Sequence, residues 1–178
     1  MGRRRYHQYR YIRQPETESN HVANEAVFNG WMSEEAQCNF IKSATHDLRA
    51  AGFTGVISTV ETVGTYQAHP SLCAAVESVV HANIHAYFDP GTDSSEAGSF
   101  VVSQRTLLAN LCGKSVIVSE TGWPSEARGN QQAAIEAIRI ATKGDVTFFS
   151  YKDDHWKVPG VEQHFGMFLI SPIFKCVR

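Results

Sequence analysis

Short apolar runs alternate with longer amphipathic segments along this chain. The short runs are rich in β-branched residues and end at glycine, proline or a polar side chain, as buried strands do. The longer segments repeat apolar residues every three or four positions, and residues such as Ser33 and Gly52 mark their ends. This pattern predicts strands at 21–25, 54–61, 79–88, 116–120 and 146–151, and helices at 34–51, 70–76, 96–111 and 131–143.

The regular order of strand and helix predicts an α/β fold with a helix-wrapped parallel sheet. In barrels built this way, the active site lies at the C-terminal ends of the strands. The residues expected at those ends are Glu25, Glu61, Tyr87, Glu120 and Tyr151. Glu25 and Glu120 are therefore candidate functional carboxylates. Glu61 either lines a groove or is solvated.

The apolar stripes of the helices identify the side chains expected in the core. The residues on these stripes are Phe40, Ile41, Ala44, Leu48, Ala51, Phe100, Leu107, Leu108, Leu111, Ala134, Ile135, Ile138 and Ala141. On the strand at 116–120, Val116, Ile117 and Val118 are expected to be buried, with Val116 and Val118 among the side chains inside the barrel.

The run at 79–88 has two distinct faces if it is extended. Val80, Ala82, Ile84 and Ala86 share one face, and His81, Asn83, His85 and Tyr87 share the other. The polar face is what a strand lining a ligand site would present. His81 and His85 are spaced as a metal-binding pair would be, but no third ligand is evident, so no metal is expected.

Composition excludes several classes of function. The 178 residues are 43% hydrophobic and 19% charged, with a net charge of −2, which is typical of a soluble globular domain. This balance gives no reason to expect nucleic-acid binding. No apolar run approaches the roughly 20 residues that span a bilayer. The basic start of the chain is not followed by an apolar segment, so it is not a signal peptide, and residues 1–19 are expected to be a disordered or non-native leader.

Two strings around the candidate carboxylates resemble a known family. The segment 119–125 reads SETGWPS and resembles the nucleophile signature of glycoside hydrolase family 17, the β-1,3-glucanases, most closely in its fungal branch. The segment 22–25 reads VANE and resembles the family's acid/base string, with Ala23 where glycine is usual. The segment 83–88, NIHAYF, and the segment 152–157, KDDHWK, resemble further family strings.

The resemblance implies the fold more closely. It extends over residues 20–168 and corresponds to strands four to eight of an eight-stranded barrel, so we expect an incomplete (β/α)8 TIM barrel, with 20–178 as a partial catalytic domain. The first and last of these strands would then be open edges. We expect this chain, expressed alone, to be aggregated or molten and to have little activity.

The resemblance also implies the chemistry. Glu120 would be the nucleophile and Glu25 the acid/base of a retaining hydrolase that cleaves β-1,3-glucan of cell walls. Asn24 would bind the sugar 2-hydroxyl, Tyr87 would orient Glu120, and Trp123 and Trp156 would offer flat faces to the sugar. His85, Asp154 and Lys157 complete the set of substrate-binding candidates. No cofactor is implied, and a secreted or cell-wall-associated monomer is expected.

Two alternatives remain open from the sequence. A glucan transglycosylase of the same family would use the same two glutamates, with a sugar hydroxyl in place of water. A non-catalytic glucan-binding protein would fit an incomplete barrel, although the two intact glutamates argue against it.

The four cysteines, Cys38, Cys73, Cys112 and Cys176, include no CxxC pair, so a zinc or redox motif is not expected. Buried free thiols are one interpretation. Cys73 and Cys112 lie towards the ends of consecutive helices that should run parallel, so an oxidising compartment would favour a disulfide between them. Cys38 and Cys176 are expected to be unpaired.

Overall fold

A computed structural model describes residues 19–126 and 129–167, and it contains the predicted parallel sheet. Four strands are hydrogen-bonded in the order β1-β2-β3-β4, all parallel. They are β1 (Ser19–Asn24), β2 (Val56–Thr62), β3 (Val79–Asn83) and β4 (Ser115–Glu120). All four C-terminal ends therefore meet at one edge of the sheet.

Helices connect the strands and cover one face of the sheet. They are α1 (Glu34–Ala50), α2 (Val63–Ala68), α3 (Ser71–Ala75), α4 (Ala97–Cys112) and α5 (Gln131–Thr142), with 3-10 turns at Ala86–Phe88, Ser94–Glu96 and Val161–Gln163. Side-chain oxygens of Ser33, Thr62 and Asn130 accept backbone hydrogen bonds at the starts of α1, α2 and α5. The left-handed Gly113 ends α4, as predicted. Helix α2 was not predicted, because its six residues are too few to show a periodicity.

The core lies between the sheet and the helices, but two apolar stripes were placed wrongly. In α1 the buried residues are Gln37, Cys38 and Ile41, while the predicted Phe40 is 46% exposed. In α4 the predicted Leu107 and Leu111 are exposed. The α4 face that packs inward is made of smaller residues (Ala97, Gly98, Val101) together with Leu108. Size misled the prediction, because the closest helix contacts are made by the small side chains.

The face of β4 was also assigned wrongly. Val116 and Val118 are buried with the residues of the helix-covered core, not on the barrel interior. Ile117 between them is 42% exposed, so this strand is not buried on both faces. The face that carries Ile117, together with His21 and His81, lines an open cavity of about 610 Å³.

The predicted strand at 79–88 is shorter in the structure. It ends at Asn83, and the chain turns through a 3-10 segment over Ala86–Phe88. The amides of Phe88 and Asp89 donate to the carbonyls of His85 and Ala86, so the backbone leaves the ladder there. The predicted face shared by His81 and Tyr87 therefore does not continue along one strand.

The predicted fifth strand at 146–151 is reduced to an isolated bridge. Phe148 pairs with Thr121 in parallel, and the Phe149 amide donates to the Thr121 carbonyl at 2.8 Å. At Ser150 the backbone hydrogen bonds pass to Phe165 and Met167 instead. The segment therefore continues the sheet beyond β4 for only one pair, because its next partners belong to the chain's last described residues.

Two further expectations can be placed against the structure. Cys73 and Cys112 form the predicted disulfide, with Cα atoms 5.2 Å apart, and Cys38 is a buried free thiol as predicted. Cys176 and the leader before residue 19 lie outside the described residues.

Among the described residues β1 pairs only with β2, and the poor folding of the chain alone stays a prediction. No described helix has the length and apolar character required to cross a membrane.

Gly98 sets the distance between α4 and α5. A Cβ at this position would lie 2.2 Å from the Ala137 carbonyl oxygen of α5. This oxygen belongs to the helix backbone, so it cannot easily move away. Gly98→Ala should therefore lower the free energy of unfolding by about 1–3 kcal/mol. Gly64→Ala is the matched control, since the nearest atom to a Cβ there is 4.0 Å away, and it should stay within about 1 kcal/mol of the parent. Denaturant melts of both variants test this, and equal effects would contradict it.

Candidate active site

A cleft of about 990 Å³ opens at the C-terminal ends of the strands. Seven of the nine predicted site residues line it: Asn24, Glu25, His85, Glu120, Asp154, Trp156 and Lys157. They come from four separate stretches of sequence. The parallel sheet brings these stretches together at one edge.

The two predicted catalytic carboxylates both face this cleft. Glu120 is the last residue of β4, and Glu25 directly follows β1. The backbone of Glu25 is held in the left-handed region, at φ +51°, while its amide donates to the Val60 carbonyl at 2.7 Å. Such a backbone is rare for a non-glycine residue, and it is commonly found where function fixes a side chain.

Asn83 binds Glu25 and lies beside Glu120 in the sheet, and it was not among the predicted site residues. Its amide nitrogen donates to Glu25 Oε1 at 2.9 Å and to Asn24 Oδ1 at 3.1 Å. In the sheet, Asn83 is the register partner of Glu120. Its position on the predicted polar face of 79–88 was the one sign in the sequence that it belongs to the site. The hydrogen bonds that it makes could not be predicted from the sequence.

Burial and neighbouring charge raise the pKa of Glu120. Removal from water has the largest effect, and the negative charges of Glu25 and Glu162 add to it. The positive charge of Lys157 acts in the opposite direction. The ionisation of Glu120 is therefore set by its burial and, beyond that, by the charged groups that line the same cleft.

Lys157 lines the cleft between acidic and aromatic side chains. Its ammonium is 3.4 Å from an oxygen of Asp154 and 3.6 Å from one of Glu162. It also lies 4.6 Å from the ring centroid of Phe149, in a cation–π contact. These contacts fix the charge close to Glu120.

His85 lines the cleft and packs against three aromatic rings. The centroids of Phe88, Phe149 and Phe165 lie 5.4–6.2 Å from its own. Burial, aided by the charge of Lys157, lowers the pKa of His85 to about 4. Its Nδ1 is buried and makes no hydrogen bond to any described residue. The imidazole is thus neutral near pH 7 and has an unused polar atom.

Trp123 and Tyr87 are not among the residues lining the cleft. Trp123 is completely buried, so it cannot offer a face to a sugar as predicted. The Tyr87 ring packs against it edge-to-face, with centroids 5.4 Å apart. The prediction failed because a loop position after a strand end does not by itself reveal burial. That Tyr87 orients Glu120 stays a prediction.

Glu61 is neither solvated nor part of the cleft lining. Its carboxylate is completely buried and accepts hydrogen bonds from the amides of Val27 (2.9 Å) and Phe28 (3.2 Å). It therefore holds the turn that follows Glu25. Sequence placed Glu61 at the end of β2 but contained no sign of these distant backbone partners.

Exposed aromatic side chains surround the cleft, and only Trp156 was predicted among them. Trp156 is 81% exposed, Trp31 73%, Phe28 60% and Phe88 54%. Exposed apolar surface bordered by polar groups is typical of a ligand-binding groove. Within residues 19–126 and 129–167, no three His, Cys, Asp or Glu side chains cluster as a metal site requires.

Comparison with family models matches residues 9–166 to the model described as "BtgE/BtgC glycoside hydrolase domain". Among curated proteins, "Probable beta-glucosidase btgE" of Aspergillus fumigatus is 38% identical over 160 residues, and the protein of the same name from Aspergillus terreus is 38% identical over 159. These matches cover 83% and 82% of this chain. The chain spans only 28% of the length of either relative.

Solved structures share the fold. A Rhizomucor miehei β-1,3-glucanosyltransferase mutant in complex with laminaritriose aligns with a TM-score of 0.67 at 20% identity, over 80% of this chain and 56% of its own. A pollen β-1,3-glucanase of Cryptomeria japonica aligns with a TM-score of 0.59 at 18% identity, over 84% of this chain and 67% of its own. A second Rhizomucor miehei structure, titled as a glycoside hydrolase family 17 enzyme, has a TM-score of 0.64 at 24% identity, over 82% and 57%. The fold is thus an incomplete TIM barrel.

The buried Glu61 carboxylate makes a specific prediction about stability. In Glu61→Gln, the new NH₂ group would face one of the two amides that Glu61 now binds, leaving a buried donor without an acceptor. We expect the free energy of unfolding to fall by about 1–3 kcal/mol. Glu77→Gln is the control, because Glu77 forms an exposed ion pair with Arg49 that contributes at most about 1 kcal/mol. Denaturant titration that found equal losses for the two variants would contradict the role given to Glu61.

Proposed function

The chain belongs to the BtgE/BtgC glycoside hydrolase family, and we propose that it carries the catalytic pair of an enzyme that cleaves β-1,3-glucan with retention of configuration. The observation that carries the proposal is the meeting of Glu25 and Glu120 in one cleft at the ends of β1 and β4. Retaining glycosidases require two carboxyl groups on opposite sides of the scissile bond. Asn83, linked to both positions, supports their cooperation.

In the first step, the Glu120 carboxylate attacks the anomeric carbon and forms a covalent bond to it. The bond from that carbon to the leaving oxygen breaks, and the Glu25 carboxyl group gives its proton to that oxygen. In the second step, Glu25 accepts a proton from water, the water oxygen bonds to the anomeric carbon, and the bond to Glu120 breaks. Both carboxyl groups return to their starting states.

The neighbouring side chains have supporting roles. The hydrogen bond from Asn83 holds Glu25 Oε1 in place, and Asn24 beside it would bind the sugar 2-hydroxyl. Lys157 opposes the groups that raise the pKa of Glu120, so more of the nucleophile is ionised. The neutral His85 lines the cleft without adding a charge to it.

The substrate class rests on the relatives. Curated relatives are named as β-glucosidases, and the titles of the structural neighbours name β-1,3-glucan enzymes, one in complex with laminaritriose. The corresponding substrate is a cell-wall glucan, and the corresponding location of the enzyme is outside the cell. Transfer to a sugar acceptor is a second candidate activity, supported by the exposed aromatic rim of the cleft.

Replacement of the two carboxylates should separate their roles. Glu120→Gln should abolish turnover of laminarin oligosaccharides, because the amide cannot form the covalent intermediate. Glu25→Gln should lower turnover by about 10²–10⁴-fold, with partial recovery on substrates whose leaving groups need no proton. Glu136→Gln on exposed α5 is a charge-matched control and should behave as the parent. Reducing-end assays on the purified variants test this, and undiminished activity in either cleft variant would refute the assignment.

The charges around Glu120 predict how activity depends on pH. The nucleophile must be ionised, so activity is lost as pH falls through the pKa of Glu120, which lies above that of a free glutamate. Lys157→Met removes a charge that lowers this pKa and should move the acidic limb of kcat/KM to higher pH. Glu162→Gln removes a charge that raises it and should move the limb to lower pH.

Lys42→Met, on the exposed surface of α1, is the control for Lys157→Met and should leave the acidic limb where it is. The measurement is a profile of kcat/KM from pH 3 to 8 for each protein, roughly the range over which shifted carboxyl groups titrate. Shifts in the same direction for Lys157→Met and Glu162→Gln would show that this limb does not report Glu120.

A further inference from the structure

Two aromatic side chains beside Glu25 remain without a role in the proposed chemistry. Phe28 and Trp31 are 60% and 73% exposed, and both line the cleft. Isolated exposed apolar residues are ordinary on protein surfaces. A Phe and a Trp three residues apart, both lining a cleft that holds two carboxylates, place exposed apolar surface beside polar groups, as a binding surface does.

The turn that carries these rings is held firmly. The amides of Asn29, Gly30 and Trp31 donate to the carbonyls of Glu25, Val27 and Ala26, at 2.9–3.0 Å. The Asn29 side chain also donates to the Glu25 carbonyl at 2.8 Å. From below, the buried Glu61 carboxylate accepts the amides of Val27 and Phe28. The rings are therefore presented by a backbone that is already ordered, which reduces the entropy lost when a ligand binds.

The strand order decides which end of the cleft the rings occupy. Phe28 and Trp31 follow β1, whereas Trp156 and Lys157 follow the segment paired with β4. The rings thus lie on the side of Glu25, away from the Glu120 side. An acid/base touches the oxygen that leaves, so the sugar attached to that oxygen extends past Glu25 towards these rings.

We propose that Phe28 and Trp31 form a platform for the sugar that leaves and for the sugar that accepts in its place. This inference rests on the proposed function. A β-linked glucose unit has its hydroxyl groups around its edge and C–H bonds on its faces, so it can pack flat on an aromatic ring. Neither ring bears a charge, so the platform recognises the sugar face and not a charged group.

The platform gives the covalent intermediate a choice of partner. After the first product leaves, a saccharide held on the rings presents a hydroxyl group next to Glu25. Glu25 takes the proton of that hydroxyl group. The hydroxyl oxygen then bonds to the anomeric carbon, and the bond from that carbon to Glu120 breaks. Water gives hydrolysis by the same exchange of bonds. Occupancy of the platform therefore raises transfer relative to hydrolysis.

The test uses β-laminaribiosyl fluoride as donor, because fluoride leaves without occupying the platform, and laminaritriose as acceptor. The variants are Phe28→Ala, Trp31→Ala, the double variant and Trp31→Phe, with Phe40→Ala as control, since Phe40 is 46% exposed and does not line the cleft. Circular dichroism first verifies that each variant is folded. Products are then counted as transfer or hydrolysis over a range of acceptor concentrations.

We expect Trp31→Ala and Phe28→Ala to raise the acceptor concentration at half-maximal transfer at least tenfold. The same variants should change the rate of fluoride hydrolysis by a much smaller factor. Trp31→Phe, which keeps a flat face, should recover most of the loss, and Phe40→Ala should match the parent. A half-maximal concentration within twofold of the parent in the double variant would overturn the platform.

A binding measurement separates this inference from the proposed function. If the parent protein is folded by circular dichroism yet hydrolyses neither the fluoride nor laminarin, the proposed function fails, and calorimetric titration of laminaritriose into Glu120→Gln then decides the platform. Added Trp31→Ala should weaken that binding at least tenfold. Equal affinity with and without Trp31, or no binding to the Glu120→Gln protein, would overturn the platform as well.

Discussion

The hydrogen-bonded register of the four parallel strands is the constraint on which the site depends. Register pairs Asn83 of β3 with Glu120 of β4, and the Glu25 amide with the Val60 carbonyl of β2. These pairings fix the height at which each carboxylate leaves the sheet. The register shifts just before each pairing, between His21 and Asn24 in β1 and between Ala82 and Asn83 in β3, and such an irregularity re-aims the side chains that follow it. The site is therefore a property of the sheet and not of any single loop.

The ends of strands were predictable from sequence, and so were the residues placed there. Glu25 and Glu120 each follow a short apolar run, and parallel strands bring such positions to one edge. The limits of prediction arose beyond those ends. The chain around His85 leaves the sheet in a 3-10 segment closed by hydrogen bonds between residues three apart. Residues 146–151 form only one bridge, because the hydrogen bonds of Ser150 go to Phe165 and Met167.

Burial at loop positions was equally hidden from sequence. Trp123 and Trp31 both follow strand ends, yet the first is completely buried and the second is 73% exposed. Glu61 was left open between two surface roles and is instead a buried acceptor of two backbone amides. Each outcome depends on which distant segment packs above the residue. Local patterns of apolar and polar residues do not contain that information.

The left-handed backbone of Glu25 has a consequence for how this chain can change. A side chain at φ +51° is strained, and glycine or asparagine would occupy the same position at lower energy. Either replacement would relieve the backbone strain, but it would remove the carboxyl group and the hydrogen bond that this group accepts from Asn83. Under the acid/base role proposed for Glu25, such a replacement would exchange activity for a more relaxed turn. A descendant that binds glucan without cleaving it would be expected to change Glu25 before Glu120.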